Sequence, residues 1–135
     1  MILCIRTDSG VTELYICSGT MVEAQDVWES GRTLAGSLLA HINKLVSEAS
    51  SKLGIQADIQ NLDGIVCYLG PGSFTGLRIG VTVANTLAYS LGVPVIGVTG
   101  DDWLREGQSG ILFGRDDKVL LPQYGAEANI TAPRK

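Results

Sequence analysis

The stretch Gly70-Pro71-Gly72-Ser73-Phe74-Thr75-Gly76-Leu77-Arg78-Ile79-Gly80 constrains the fold more than any other part of this chain. It follows a short apolar run, Ile65 to Leu69, and opens an apolar segment that continues to Leu91. That succession is the layout of a strand, a tight turn and a helix entered at Ser73. Gly70 and Gly72 admit a positive φ or a close backbone approach. Pro71 cannot continue a strand ladder, and Ser73 is suited to cap the open N–H groups of the first helical turn.

The flanking sequence supplies a scaffold for this corner. Ile2 to Arg6, Val11 to Cys17 and Met21 to Trp28 read as three strands joined by Thr7-Asp8-Ser9-Gly10 and Ser18-Gly19. Strands joined so briefly pair antiparallel, as a meander. From Ser30 to Leu53 the period changes: Leu34, Leu38, Ile42, Leu45 and Ala49 recur at helical spacing, with Gly54 just past the end. Gly64 to Leu69 reads as a buried strand, Ser73 to Leu91 as a helix and Val93 to Val98 as a further strand. A strand–helix–strand unit makes its two strands parallel, with a right-handed crossover. The class is therefore α/β: a mixed sheet with a three-stranded antiparallel meander, two principal helices and a parallel strand pair.

Beyond Thr99-Gly100 the pattern weakens. Asp101 to Glu106 suggests a short helix. Gly110 to Gly114 and Lys118 to Leu121, separated by Arg115-Asp116-Asp117, suggest a small hairpin, and Tyr124 to Lys135 a loosely held tail. The expected organisation is one domain over residues 1–100 and a short extension over 101–135.

Both helices are more apolar than packing on one sheet requires. The first carries a second stripe, Ala35, Leu39 and Val46, beside its main one. On the second, Phe74, Leu77, Val81, Ala84, Ala88 and Leu91 share a face, overlapped by small residues four apart at Gly76, Gly80, Ala84 and Ala88. From Gly64 to Gly100 the only charged side chain is Arg78. A helix without a charged face is buried on more than one side, and small residues at this spacing let another backbone approach. One stripe seats the helix on its own sheet. The second favours a partner protein, because an exposed apolar patch marks an interface. Leu34, Leu38, Ile42, Leu45, Phe74, Leu77, Val81 and Ala84 are the expected contacts, with Gly76 and Gly80 permitting approach and Arg78 as polar anchor.

Composition narrows the alternatives. A net charge of −4 and ten dispersed Lys and Arg residues argue against a broad nucleic-acid footprint. Cys4, Cys17 and Cys67 fall in apolar runs without paired spacing, which suits buried reduced thiols better than a disulfide or a metal site. No apolar run approaches the ~18 residues of a membrane helix, and the N-terminus lacks a charged leader, so a soluble cytoplasmic protein is expected. A Gly-rich loop opening a helix invites a phosphate, yet Leu77-Arg78 stands where a P-loop needs Lys then Ser or Thr, and the glycine spacing misses the dinucleotide fingerprint. His41 is the single histidine, read as a helix-surface or interface residue, and leaves a metal site or a Ser-His-Asp triad little to work with. Asp101-Asp102 and Asp116-Asp117 read as solvated caps and turns.

The eleven residues from Gly70 to Gly80, including the loop positions Gly70, Pro71, Gly72, Ser73 and Thr75, resemble the signature of the bacterial TsaB (YeaZ) family nearly completely. The element order over residues 1–100 agrees with that family as well. The resemblance implies a ribonuclease H-like fold of the actin-like ATPase superfamily. It implies a non-catalytic subunit without cofactor or metal that pairs with the transferase TsaD in a complex that also contains the ATPase TsaE. That machinery transfers a threonylcarbamoyl group to adenosine 37 of tRNAs, so tRNA would be met only indirectly. In the family the first helix and the signature helix build the heterodimer interface, a surface also used for homodimers. Three departures accompany the match: Arg6 stands where an acid is expected, Leu34-Ala35 replaces a His-Ser pair, and only a hairpin-sized remainder follows residue 100. The expectation is a short, interface-only family member, with a nucleotide-binding or glycoprotease-like hydrolase, or a homodimeric structural module, as the alternative.

Overall fold

The computed structural model describes residues 1–125. Five strands form one mixed sheet in the order β3-β2-β1-β4-β5: β1 (Ile2–Arg6), β2 (Val11–Ser18), β3 (Met21–Glu29), β4 (Gly64–Tyr68) and β5 (Val95–Val98). β1 pairs antiparallel with β2, Ile2 opposite Cys17 and Arg6 opposite Glu13, and β2 pairs antiparallel with β3. On its other side β1 runs parallel to β4, which runs parallel to β5. Meander and parallel pair both stand as the sequence predicts.

The helices α1 (Leu34–Leu53) and α2 (Phe74–Leu91) cover one face of the sheet. There Leu3, Ile5, Leu14, Ile16, Ile65, Cys67 and Val95 meet Leu34, Leu38, Ile42, Leu45, Val81 and Ala84 in one core. The other face carries Ile2, Cys4, Cys17, Val66, Tyr68, Ile96 and Val98, packed with Trp103 in a second core. Covered on both faces, β1 and β4 can be continuously apolar, which is why neither alternates in sequence. The three cysteines are free and buried.

The C-terminal expectation needs correction. Gly110 to Gly114 and Lys118 to Leu121 form no hairpin; the chain instead makes a third helix, α3 (Trp103–Leu112), on the face opposite α1 and α2. Its glycines mislead a reader because they serve packing rather than turning. A Cβ at Gly107 would stand 2.2 Å from Val66 Cγ1, and one at Gly110 2.6 Å from Ile96 Cδ1, so the helix lies down closely on β4 and β5. After α3, residues 115–117 run along the outer side of β5. The Asn85 side chain then holds the Leu120 peptide from both sides, and Gln123 N–H donates to the Leu69 carbonyl. Tyr124, expected in a loose tail, stacks on Phe74 at 4.3 Å. The rest of that tail, residues 126–135, lies outside the described residues.

Candidate functional site

The signature corner forms as the turn chemistry requires. Gly70 has φ +123°, in the region closed to most side chains. Ser73 caps α2, its Oγ accepting from Gly76 N–H at 3.3 Å. Pro71, Gly72, Ser73, Phe74 and Thr75 are exposed.

The small residues of the signature close on the chain's own β1–β2 turn. Added Cβ atoms would stand 2.5 Å from Asp8 O at Gly72, 2.3 Å from Thr7 O at Gly76 and 2.2 Å from Thr7 Oγ1 at Gly80. The fit is locked by hydrogen bonds: Thr7 Oγ1 donates to the Gly76 carbonyl at 2.7 Å, and Ser73 N–H donates to the Asp8 carbonyl at 2.7 Å. Thr7 is fully buried. The close approach that the sequence assigns to a partner backbone at Gly76 and Gly80 is thus taken up internally.

Arg6 finds its acid two residues on. Its guanidinium makes a two-pronged bond to Asp8, at 2.9 and 3.1 Å, and reaches Glu13 at 3.9 Å. It also lies 3.9 Å above the Tyr68 ring and 5.9 Å from that of Trp103, a cation–π arrangement. The hydrogen bond to Asp8 raises its pKa further above the ordinary value. Tyr15 donates to Glu13 at 2.7 Å, and burial together with that bond pushes its phenol up to about 12. Arg6 is therefore already neutralised by two carboxylates and is not free to seat a phosphate. Among the described residues no group of three or more His, Cys, Asp and Glu side chains is placed to hold a metal ion.

The expected interface residues separate into two groups. Leu34, Leu38, Ile42, Leu45, Leu77, Val81 and Ala84 are buried in the chain's own cores, and so is Val46 of the second stripe. Phe74 and Arg78 are exposed, the Arg78 guanidinium standing 5.8 Å from the Phe74 ring. What the helix layer shows to solvent is a different set. On α1 these are Ala35, Gly36, Leu39 and Ala40, followed by Asn43, Lys44, Ser47 and Glu48; on α2, Thr75, Thr82, Thr86 and Tyr89, with Ile79, Val83 and Leu87 half-buried.

His41 is engaged at β3. Its Nδ1 lies 2.7 Å from Asp26 Oδ2, and its ring stacks on Trp28 at 3.7 Å, fastening α1 to the sheet. The signal was the alternation of β3, which places Asp26 and Trp28 on one face. No helix among the described residues is long and apolar enough to cross a membrane.

A family model described as TsaD, tRNA N6-adenosine threonylcarbamoyltransferase, matches residues 34–107, more than half of the chain. The chain is 58% identical over 40 residues to the tRNA threonylcarbamoyladenosine biosynthesis protein TsaB of Bacillus subtilis, covering 30% of this chain and 18% of that protein. It is 32% identical over 135 residues to the tRNA N6-adenosine threonylcarbamoyltransferase of Tropheryma whipplei, covering 86% of this chain and 33% of that protein. Among solved structures, YeaZ from Pseudomonas aeruginosa superposes with a TM-score of 0.58 at 26% identity, over 73% of this chain and 43% of that one. The chain thus spans less than half the length of these relatives. Sheet order and helix-opening corner define a ribonuclease H-like α/β domain of the YeaZ type. The chain belongs to the TsaB (YeaZ) family, which serves threonylcarbamoyladenosine modification of tRNA.

Proposed function

We propose that this chain is a non-catalytic subunit of the tRNA threonylcarbamoyladenosine machinery, holding a TsaD-type transferase through the outer surface of its α1–α2 layer. A TsaE-type ATPase joins the same complex, and tRNA is met through the partner. The observation that carries this reading is the low-charge, partly apolar character of that surface over the first turns of α1 and along α2, with Lys44 and Glu48 exposed only farther along α1. Leu39 is 50% exposed amid Ala35, Gly36 and Ala40, and α2 offers threonines and half-buried Ile79 and Val83 with Arg78 as its one charge. Such a surface is depleted in charge in the way interface centres are. The contact is therefore assigned to these outer residues, and the buried Leu34, Leu38, Ile42, Leu45, Leu77, Val81 and Ala84 support it from beneath.

The test is co-purification of the chain with the TsaD protein of the same genome, scored by mass in size-exclusion chromatography. A 1:1 complex is expected, and Leu39→Glu combined with Thr82→Glu, both at exposed positions, should abolish it while the melting temperature stays near that of the parent chain. A complex indifferent to both glutamates would remove this surface from consideration. Self-association of the unmutated chain at the same surface would instead identify a homodimeric module.

A further inference from the structure

The outer edge of β5 is closed in an unusual way. Pro94 and Val98 direct their carbonyls toward β4, accepting from Ile65 and Leu69 N–H. Strand alternation therefore turns the peptide groups of Val95 and Gly97 outward, where an edge strand would present them to another chain. All four outward groups are bonded, and three consecutive residues bond them. Val95 N–H donates to Asp116 Oδ1 at 3.1 Å, and Asp117 N–H donates to the Val95 carbonyl at 2.9 Å. Gly97 N–H donates to Asp117 Oδ2 at 2.9 Å, and Arg115 Nη2 donates to the Gly97 carbonyl at 3.1 Å. Arg115 and Asp117 are themselves joined at 2.8 and 3.0 Å.

Three of those four bonds use side-chain atoms. A carboxylate can accept as a strand carbonyl does, but it offers no further backbone for the next strand. The sheet is therefore finished at β5, whereas β3, at the other end, has no strand on its outer side among the described residues and exposes Met21, Val22 and Val27. We propose that Arg115-Asp116-Asp117 is an edge guard that keeps β5 from pairing with the open β3 edge of a second copy of this chain. A β5-to-β3 contact joins different surfaces on the two copies. It does not close on itself, so an unguarded chain would grow into a ladder rather than stop at a dimer.

The experiment uses the full chain carrying Asp116→Ala and Asp117→Ala. Hydrogen exchange at the Val95 and Gly97 amides should accelerate at least about tenfold, while the inward Ile96 amide keeps its protection. Light scattering should show a mass that climbs above that of the unmutated chain as concentration rises. Adding Val27→Lys, a charge on the receiving edge, should suppress that climb. Unchanged exchange at Val95 and Gly97 would overturn the guard. An open edge without added mass, or a climb indifferent to Val27→Lys, would overturn the β5-to-β3 pairing. If the double variant does not fold, Arg115→Ala is put through the same measurements and judged by the same outcomes.

Discussion

The inner and outer sides of α2 put similar residues to opposite uses. On the inner side Gly76 and Gly80 are fitted to Thr7, whose backbone and hydroxyl fill the space a side chain would need. On the outer side Thr75, Thr82 and Thr86 lie exposed beside half-buried Ile79 and Val83, and no described element covers them. Small residues at helical spacing report that something comes close. Only the tertiary placement tells what, and here the nearest visitor is the chain itself. The two sides should therefore fail differently when they are altered.

The largest effect is expected on the inner side. Gly80→Leu must displace Thr7 from 2.2 Å, at a cost of about 3 kcal/mol or more. Thermal denaturation should fall by more than about 10 °C; a parental melting temperature would mean that the turn yields freely. Next comes a pair of adjacent leucines. Leu38 is 1% exposed and Leu39 50%, so Leu38→Ala should cost about 2–5 kcal/mol in urea unfolding, and Leu39→Ala no more than about 0.5 kcal/mol. Equal losses would erase the distinction between the two sides. Thr7→Val keeps the shape but removes the donor to the Gly76 carbonyl, for a loss of about 1 kcal/mol.

The smallest effect concerns a polar closure, at the β5 edge. Asp116 is held below the usual carboxylate range chiefly by the Val95 and Lys118 N–H groups, and Asp117 by Arg115 and then the Gly97 N–H. The charged groups facing them are Arg115 and Lys118, with Glu106 acting on Arg115. Because folding lowers both values, their contribution is complete above the ordinary carboxylate pKa of about 4 and disappears as pH falls through the lower folded values. Protection factors at Val95 and Gly97 should hold from pH 7 to 5 and decline below about 4. A decline that sets in near neutrality would point to some other group.

Much of this architecture was legible in the sequence, and the reasons are local. β1, β4 and β5 announce themselves as unbroken apolar runs, α1 by its period, and the corner by glycines and a capping serine whose roles depend on neighbours only a few residues away. The interface assignment was harder, because periodicity finds the apolar side of a helix, and that side is first claimed by the sheet beneath it. Leu34, Leu38, Ile42 and Leu45 were visible for that reason and went to the core for the same reason. α3 was obscured by Gly107 and Gly110, which look like breakers unless Val66 and Ile96 are already in place beneath them. The bonds from Asp116 and Asp117 to β5 have no sequence period at all, since they link a loop to a strand about 20 residues earlier through side chains.

The cysteines built into the sheet give the molecule its own stopwatch. Cys4, Cys17 and Cys67 have no exposed surface, and burial pushes the Cys67 thiol up to about 12. The neighbouring Cys17 thiol, together with burial, likewise holds the Cys4 thiol well above its ordinary value, while Cys17 itself is drawn below its own by Cys4. A thiol-reactive dye added to the folded chain thus finds nothing to modify until strands part. Cys67 sits on β4, between β1 and β5, while Cys17 lies on β2 opposite Ile2. The order in which the two are labelled would time the peeling of the meander against the opening of the parallel strands, with no substitution introduced to watch it.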